Sequence, residues 1–263
     1  MNDDRFLIDT HCHLNLSEFS EDFSEVENRA MAADVKRMIV PGIDLQTTQS
    51  AQKMADCSSA IFFSSGIHPN DAFNLEKNWL DEIEKAAQDP KCLAIGEIGL
   101  DFYREHCPHA IQVEVFKKQL DLAESLNLPV IIHCRQAFDV LWPILSEWHD
   151  RNPENIGVLH AFDETEEAAF AAIAKGFLIG IGGAYTYKNV PRRMVILQEI
   201  PCGSILFETD APYLTPVPFR GKRNEPSYVR FTAERTAQVK NIPLDQLISV
   251  VKENTFNLFN KLT

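Results

Sequence analysis

Residues of metal-binding type recur where short apolar runs end. The first run closes in Asp9-Thr10-His11-Cys12-His13. An extended backbone alternates its side chains, so His11 and His13 share a face with Asp9. Two imidazoles at i and i+2 can hold one ion. The third run closes in Gly66-Ile67-His68-Pro69, the fourth in Gly96-Glu97, the fifth in His133, the sixth in His160 and the eighth in Glu208-Thr209-Asp210. Any one histidine alone reads as a core residue. Six ligand-type residues closing five runs at matching positions read differently. His11, His13, Glu97, His133, His160 and Asp210 form a set of four imidazoles and two carboxylates. That is too many for one tetrahedral ion with an open position. It fits two divalent ions about 3.5–4 Å apart, an arrangement that clamps both sides of a displacement. A mixed set of this kind accepts Zn²⁺, Mn²⁺, Ni²⁺ or Mg²⁺.

Such residues, scattered over 200 positions, need a fold that brings strand ends together. Eight apolar runs supply one: Phe6–Asp9, Arg37–Pro41, Ile61–Gly66, Cys92–Glu97, Pro129–His133, Ile156–His160, Phe177–Ile181 and Ser204–Glu208. Near-continuous apolar runs this short fit buried parallel strands. Helical patterns lie between them. Phe116, Leu120 and Ala123 form a stripe within a segment from Pro108 to Leu126, and Leu244, Leu247, Ile248 and Val251 form another. Gln136–His149 and Glu164–Lys175 also read as helices; Pro143 should kink the former or mark its first turn. Alternating strands and helices imply a parallel α/β sheet, with a closed (β/α)₈ TIM barrel preferred over an open doubly wound sheet. In such a barrel all strand carboxyl ends open on one face, where the six residues would converge. One barrel domain is expected to span 1–263, without repeat, low-complexity segment or linker.

The chain carries 38 acidic residues against 25 Lys and Arg, a net charge of −13. That balance argues against a protein gripping long duplex nucleic acid through a broad basic surface. It leaves open a phosphate substrate held by bound cations. None of the six cysteines forms a C-x-x-C pair. Reduced thiols in a cytoplasmic protein are therefore expected, with Cys12 and Cys134 turned away from the histidines beside them. No membrane-spanning run or targeting signal is legible, and a monomer is expected.

At this point the chain resembles a known family. Leu7-Ile8-Asp9-Thr10-His11-Cys12-His13-Leu14-Asn15, Pro129-Val130-Ile131-Ile132-His133-Cys134-Arg135 and Leu206-Phe207-Glu208-Thr209-Asp210-Ala211-Pro212 look like three signatures of the TatD family of metal-dependent deoxyribonucleases. Gly66-Ile67-His68-Pro69 and Gly96-Glu97-Ile98-Gly99-Leu100-Asp101 also match. The resemblance implies a TIM barrel with a two-metal site. His11, His13 and Asp210 would hold one ion, His133 and His160 the other, and Glu97 would bridge them. It implies hydrolysis of phosphodiester bonds in DNA, often 3′→5′, with nucleic acid ends or single strands as substrate. Related members cleave other esters, such as aminoacyl-tRNA. The residues fit this chemistry. Glu97 can bridge without modification, and Asp210 can both ligate and take the proton from the attacking water.

Phosphate handling needs donors. His68, Arg135, Arg220, Lys222, Arg223 and Asn224 are candidates, the last four in an R-G-K-R-N-x-P stretch after the eighth run. Glu208 can recruit a further cation or serve as a structural carboxylate. Asp101, Phe102, Tyr103 and Arg104 are expected to form a substrate-facing loop. One departure from the family stands out. His160 is followed by Ala161-Phe162-Asp163-Glu164 rather than a small, uncharged turn. Acid near the metals would repel a polyanion, which keeps open an alternative: a metal-dependent amidohydrolase or esterase acting on a non-phosphodiester bond.

Overall fold

A computed structural model describes residues 5–262. Met1–Asp4 and Thr263, which the expected 1–263 domain includes, lie outside the described residues. Eight strands run parallel and pair in chain order: β1 (Leu7–Asp9), β2 (Val35–Pro41), β3 (Ile61–Ser65), β4 (Cys92–Asp101), β5 (Val130–Arg135), β6 (Gly157–Leu159), β7 (Leu178–Ile181) and β8 (Ile205–Phe207). Helices fill each connection, giving the expected (β/α)₈ TIM barrel. The seam between first and last strands closes just beyond their ends. The Thr10 N–H donates to the Phe207 carbonyl at 3.0 Å, and the Asp210 N–H to that of His11 at 2.8 Å. Asp9 reinforces this seam. Its carboxylate accepts the Thr209 N–H at 2.9 Å and the Thr209 hydroxyl at 2.6 Å. Asp9 therefore clamps the barrel shut beside the site. Burial pushes its carboxyl up to about 7, against the pull of the Thr209 bonds.

Two apolar clusters hold the barrel. The larger packs the outer faces of the strands against the helices. The smaller draws Ile8, Ile39, Phe62, Leu93, Ile131, Val158 and Leu206 from seven strands. It is plugged by Leu258, Phe259 and Leu262 at the end of helix Leu244–Leu258. Side chains two residues further along a strand share a face. The buried Ile131, Val158 and Leu206 thus set the inward direction of His133, His160 and Glu208. Phe259 is fully buried. Phe259→Ala is expected to cost about 3–5 kcal/mol, read from the urea midpoint at unchanged m-value, without altering the catalytic face directly.

The structure corrects two expectations. β4 does not end at Glu97; it continues to Asp101, which pairs with Arg135 of β5. Between Ile95 and Ile98 the register against β5 shifts, from Val130 to Ile132. Gly96 and Glu97 fill this bulge, and bulges re-aim side chains beside active sites. The apolar pattern continuing through Ile98 and Leu100 carried the signal for the longer strand. Of the two roles expected for Pro143, marking the first turn is excluded: it falls in the second turn of helix Phe138–Arg151.

Candidate metal centre

Glu97 stands at the centre of the barrel mouth, with each carboxylate oxygen facing its own group of histidines. Oε2 lies 3.4 Å from His11 Nε2 and 3.6 Å from His13 Nε2. Asp210 Oδ1 joins that side, 3.4 Å from His13 Nε2 and 3.9 Å from His11 Nε2. Oε1 lies 2.8 Å from His133 Nδ1 and 2.8 Å from His160 Nε2. Three groups offer ligand atoms within 4.8 Å of one another: His11, His13 and Asp210; His11, Glu97 and His160; and His68, Glu97 and His133. All six residues expected from the strand ends therefore meet in one place.

The donor chemistry fits divalent cations. His11 Nε2 and His13 Nε2 face each other at 3.2 Å, and His133 Nδ1 and His160 Nε2 at 3.3 Å. The His11 and His160 rings stack at 3.9 Å. Paired ring nitrogens turned inward against carboxylates leave lone pairs converging on shared points, as metal ligands do. The other ring nitrogens of His11, His13 and His160 are buried without hydrogen-bond partners.

Electrostatics agree. Burial pulls His11 down to about 4, helped by the neighbouring His160. Burial also opposes charge on His160, yet Glu97 and Glu208 drive it up to about 10. His133 is raised likewise: burial is outweighed by its bonds to Asp101 and Glu97. Glu97 is held well below the usual carboxylate range, because surrounding histidines overcome its burial. The carboxylates thus favour charge on His133 and His160, while burial keeps His11 neutral.

His68 differs from the other four. The Asn70 N–H donates to its Nδ1 at 3.1 Å. That bond places the ring proton on Nε2, which points toward Glu97 Oε1 at 3.5 Å. Burial keeps His68 neutral, pulling it down to about 3. A neutral imidazole so arranged is a hydrogen-bond donor rather than a ligand.

Several positioning residues were not legible as such. Asp101, expected in a substrate-facing loop, is buried at the end of β4. Its Oδ2 lies 3.3 Å from His133 Nε2, and its Oδ1 accepts the N–H groups of Tyr103 and Arg104. A carboxylate on the far nitrogen of a ligating imidazole fixes the ring. Helix His109–Leu126 supports both strand ends through two buried glutamines. Gln112 bonds the N–H and carbonyl of Asp101, and Gln119 those of Ile67. Their signal was an amide at two positions of an otherwise apolar helix stripe.

Glu208 is fully buried. Its Oε1 accepts the Ala161 N–H and lies 3.8 Å from His160 Nδ1. Burial pushes it up to about 8. Its carboxylate packs against Gly180, where a Cβ would stand 2.5 Å from Oε2 and make the carboxylate shift.

The expected phosphate contacts divide. Arg135 is exposed at the mouth, its guanidinium 3.8 Å from the Tyr103 ring centre. Arg223 is bound through both terminal nitrogens to Asp22, at 2.8 and 2.6 Å. Asn224 is buried, its amide donating to the carbonyls of Thr209 and Tyr213. It braces the turn that carries Asp210. The acid after His160 also has a partner. Asp163 accepts from Arg192 at 2.8 Å and from Arg193 at 2.9 and 3.0 Å. Cys12 is buried toward the Ile39 carbonyl, and Cys134 lies near Glu164. Neither belongs to a candidate metal group.

A (β/α)₈ barrel with a histidine and carboxylate cluster at the carboxyl ends of its strands belongs to the class that carries its chemistry on that face. Within that class the assignment is specific. The chain belongs to the TatD related DNase family, whose model matches residues 8–260. It is 40% identical over 254 residues to a Bacillus subtilis protein named "Uncharacterized metal-dependent hydrolase YabD", covering 96% of this chain and 98% of that one. It is 35% identical over 262 residues to the "3'-5' ssDNA/RNA exonuclease TatD" of Escherichia fergusonii, covering 96% and 98%. The crystal structure of YJJV, a TatD homologue from Escherichia coli, superposes with a TM-score of 0.91 at 29% identity, covering 97% and 98%. Among the described residues no helix is long and apolar enough to cross a membrane.

Proposed function

We propose that the protein is a divalent-metal-dependent phosphodiesterase that removes nucleotides from the end of a single nucleic acid strand, 3′→5′. The observation that carries the reading is the placement of Glu97, one oxygen toward His11, His13 and Asp210 and the other toward His133 and His160. The name and 35% identity of the exonuclease relative support the substrate class. Two divalent ions bound there would polarise a phosphoryl oxygen and lower the pKa of an attacking water. His11, His13 and Asp210 would hold one ion, His133 and His160 the other, with Glu97 shared.

The chain's own groups supply the rest. Asp210 accepts the proton of the attacking water. His68 donates its Nε2 proton to a phosphoryl oxygen, and Arg135 meets a phosphate at the rim. Asp101 holds the ring of His133, and Glu208 places a carboxylate 3.8 Å from His160 Nδ1. Of the two acids after His160, Asp163 is paired with two guanidiniums, while Glu164 lines the groove beside the mouth. The exonuclease relative favours the phosphodiester reading over the amide or ester alternative.

End-labelled single-stranded DNA tests it. Protein stripped by a chelator is expected to be inactive, and Mg²⁺, Mn²⁺, Co²⁺ or Zn²⁺ to restore stepwise shortening from the 3′ end. No cleavage with any of the four, at verified metal content, would reject the reading. Faster turnover of aminoacyl esters or amides in parallel assays would favour the alternative.

A further inference from the structure

The mouth of the barrel is electrically divided. On the β5 and β6 side a groove of about 730 Å³ is lined by Asp139, Glu164 and Glu167 with Phe102 and Phe138. On the β7 and β8 side the connections are basic. Residues 182–198 and 211–224 contain six Lys and Arg and no Asp or Glu, in a chain of net charge −13. These two connections are fastened together. The Tyr187 hydroxyl donates to the Thr215 carbonyl at 3.0 Å, and the Val217 N–H to the Thr186 hydroxyl at 2.8 Å.

Of the six cations, Arg192 and Arg193 are held by Asp163 and Arg223 by Asp22. The other three lie exposed along the ridge. Arg220 stacks on the Tyr187 ring at 4.2 Å, Lys222 lies 5.5 Å from the Phe219 ring, and Lys188 sits one residue beyond Tyr187. Stacking on an aromatic ring spreads and orients a guanidinium while leaving its edge free for phosphate.

Tyr213, on the same connection as Arg220 and Lys222, sits beside the metal centre. Its N–H donates to the Asp210 carbonyl at 2.8 Å, and its ring lies 6.2 Å from that of His13. The residue is nevertheless 51% exposed. An exposed aromatic ring beside reacting groups, on a connection that also carries exposed cations, offers what an unpaired strand requires: a face for one base and charges for phosphates.

We infer that Tyr213 stacks a base at the end of the substrate strand, and that Lys188, Arg220 and Lys222 track the phosphates of several nucleotides beyond it. The inference rests on the phosphodiesterase reading and extends it to an oligomeric substrate entering from the β7 and β8 side. An acidic barrel thereby holds a strand through one local basic ridge.

Binding of a hydrolysis-resistant phosphorothioate thymidine 12-mer tests the track, by fluorescence anisotropy across a salt series. The triple variant K188Q/R220Q/K222Q is expected to bind roughly tenfold more weakly or worse, and its logarithmic salt slope to fall by about two. K188Q and K222Q singly, which disturb no ring stack on Tyr187, should each lower the slope by about 0.7. Tyr213→Ala is expected to weaken the 12-mer roughly tenfold and to leave a base-free 12-mer unaffected. Variants that bind like wild type, with unchanged salt slope, would overturn the phosphate track. A base-free strand bound as tightly as the thymidine strand would overturn the stacking. Hydrolysis of bis(p-nitrophenyl) phosphate, a substrate too small to reach the ridge, by the wild-type protein reads the metal centre separately. Its absence in wild type would count against the phosphodiesterase reading, while the binding results still judge the track.

Discussion

Glu97→Gln is expected to leave a folded protein with almost no turnover. Glu97 faces both groups of histidines, through separate oxygens. The amide keeps the shape but replaces one oxygen with an NH₂ group, a donor with no lone pair to offer. Whichever way it turns, one histidine group then faces a donor. The negative charge at the centre of four imidazoles also disappears. Loss of that charge should weaken both ion sites together rather than one alone. Turnover on end-labelled single-stranded DNA is expected to fall on the order of 10³-fold or more, beyond the loss from a single stabilising donor. Bound metal, measured by elemental mass spectrometry after desalting, should fall from about two ions per chain to less than one. Retention of two ions with wild-type turnover would remove Glu97 from the bridging role. The fold should survive, because Gln is nearly the same size and the Glu97 N–H still bonds the Gly42 carbonyl at 3.0 Å.

The site was legible in the sequence to the extent that it obeys strand periodicity. His133 and His160 follow buried apolar residues by two positions on β5 and β6, so alternation alone aims them inward. Glu97 was identified as a ligand type, but its aim depends on a bulge that alternation does not describe. Asp101 was misplaced for the same reason, since the strand continues through the bulge. Arg223 shows a different limit. A basic stretch reads as phosphate-binding when its partners are unknown, and Asp22 stands 201 positions away in the chain. Asn224 is similar: its amide bonds reach two carbonyls of the turn around Asp210. Nothing local in the sequence separates a side chain that meets substrate from one that braces the loop beside it. Pairings across the barrel seam, such as Asp9 with Thr209, are invisible to any local pattern, because they exist only once the sheet has closed.

Asp210→Asn tests the other half of the chemistry, the fate of the proton. Asp210 sits in the left-handed region at φ 56°, which aspartate tolerates better than most residues. This turn directs its carboxylate back toward His13 and His11. Its side chain is 13% exposed, against 4% for Glu97 and 1% for Glu208. It is therefore the carboxylate of the three that incoming water reaches most readily. Burial pushes its carboxyl up, but His13 and His160 prevail and hold it below the usual aspartate value. A lowered pKa means Asp210 is ionised at neutral and mildly acidic pH, and so able to accept a proton throughout that range. Asparagine retains one oxygen for a metal but has no usable basicity. With metal at saturating concentration, kcat is expected to fall about 10²–10⁴-fold, the usual contribution of a positioned base, with KM little changed. The factor should be the same from neutral to mildly acidic pH, since the native group is ionised across that window. If excess metal restored wild-type turnover, Asp210 would be a ligand alone and the proton would have to leave by another route. Persistent loss at full metal occupancy, with an unchanged KM, places the proton on Asp210.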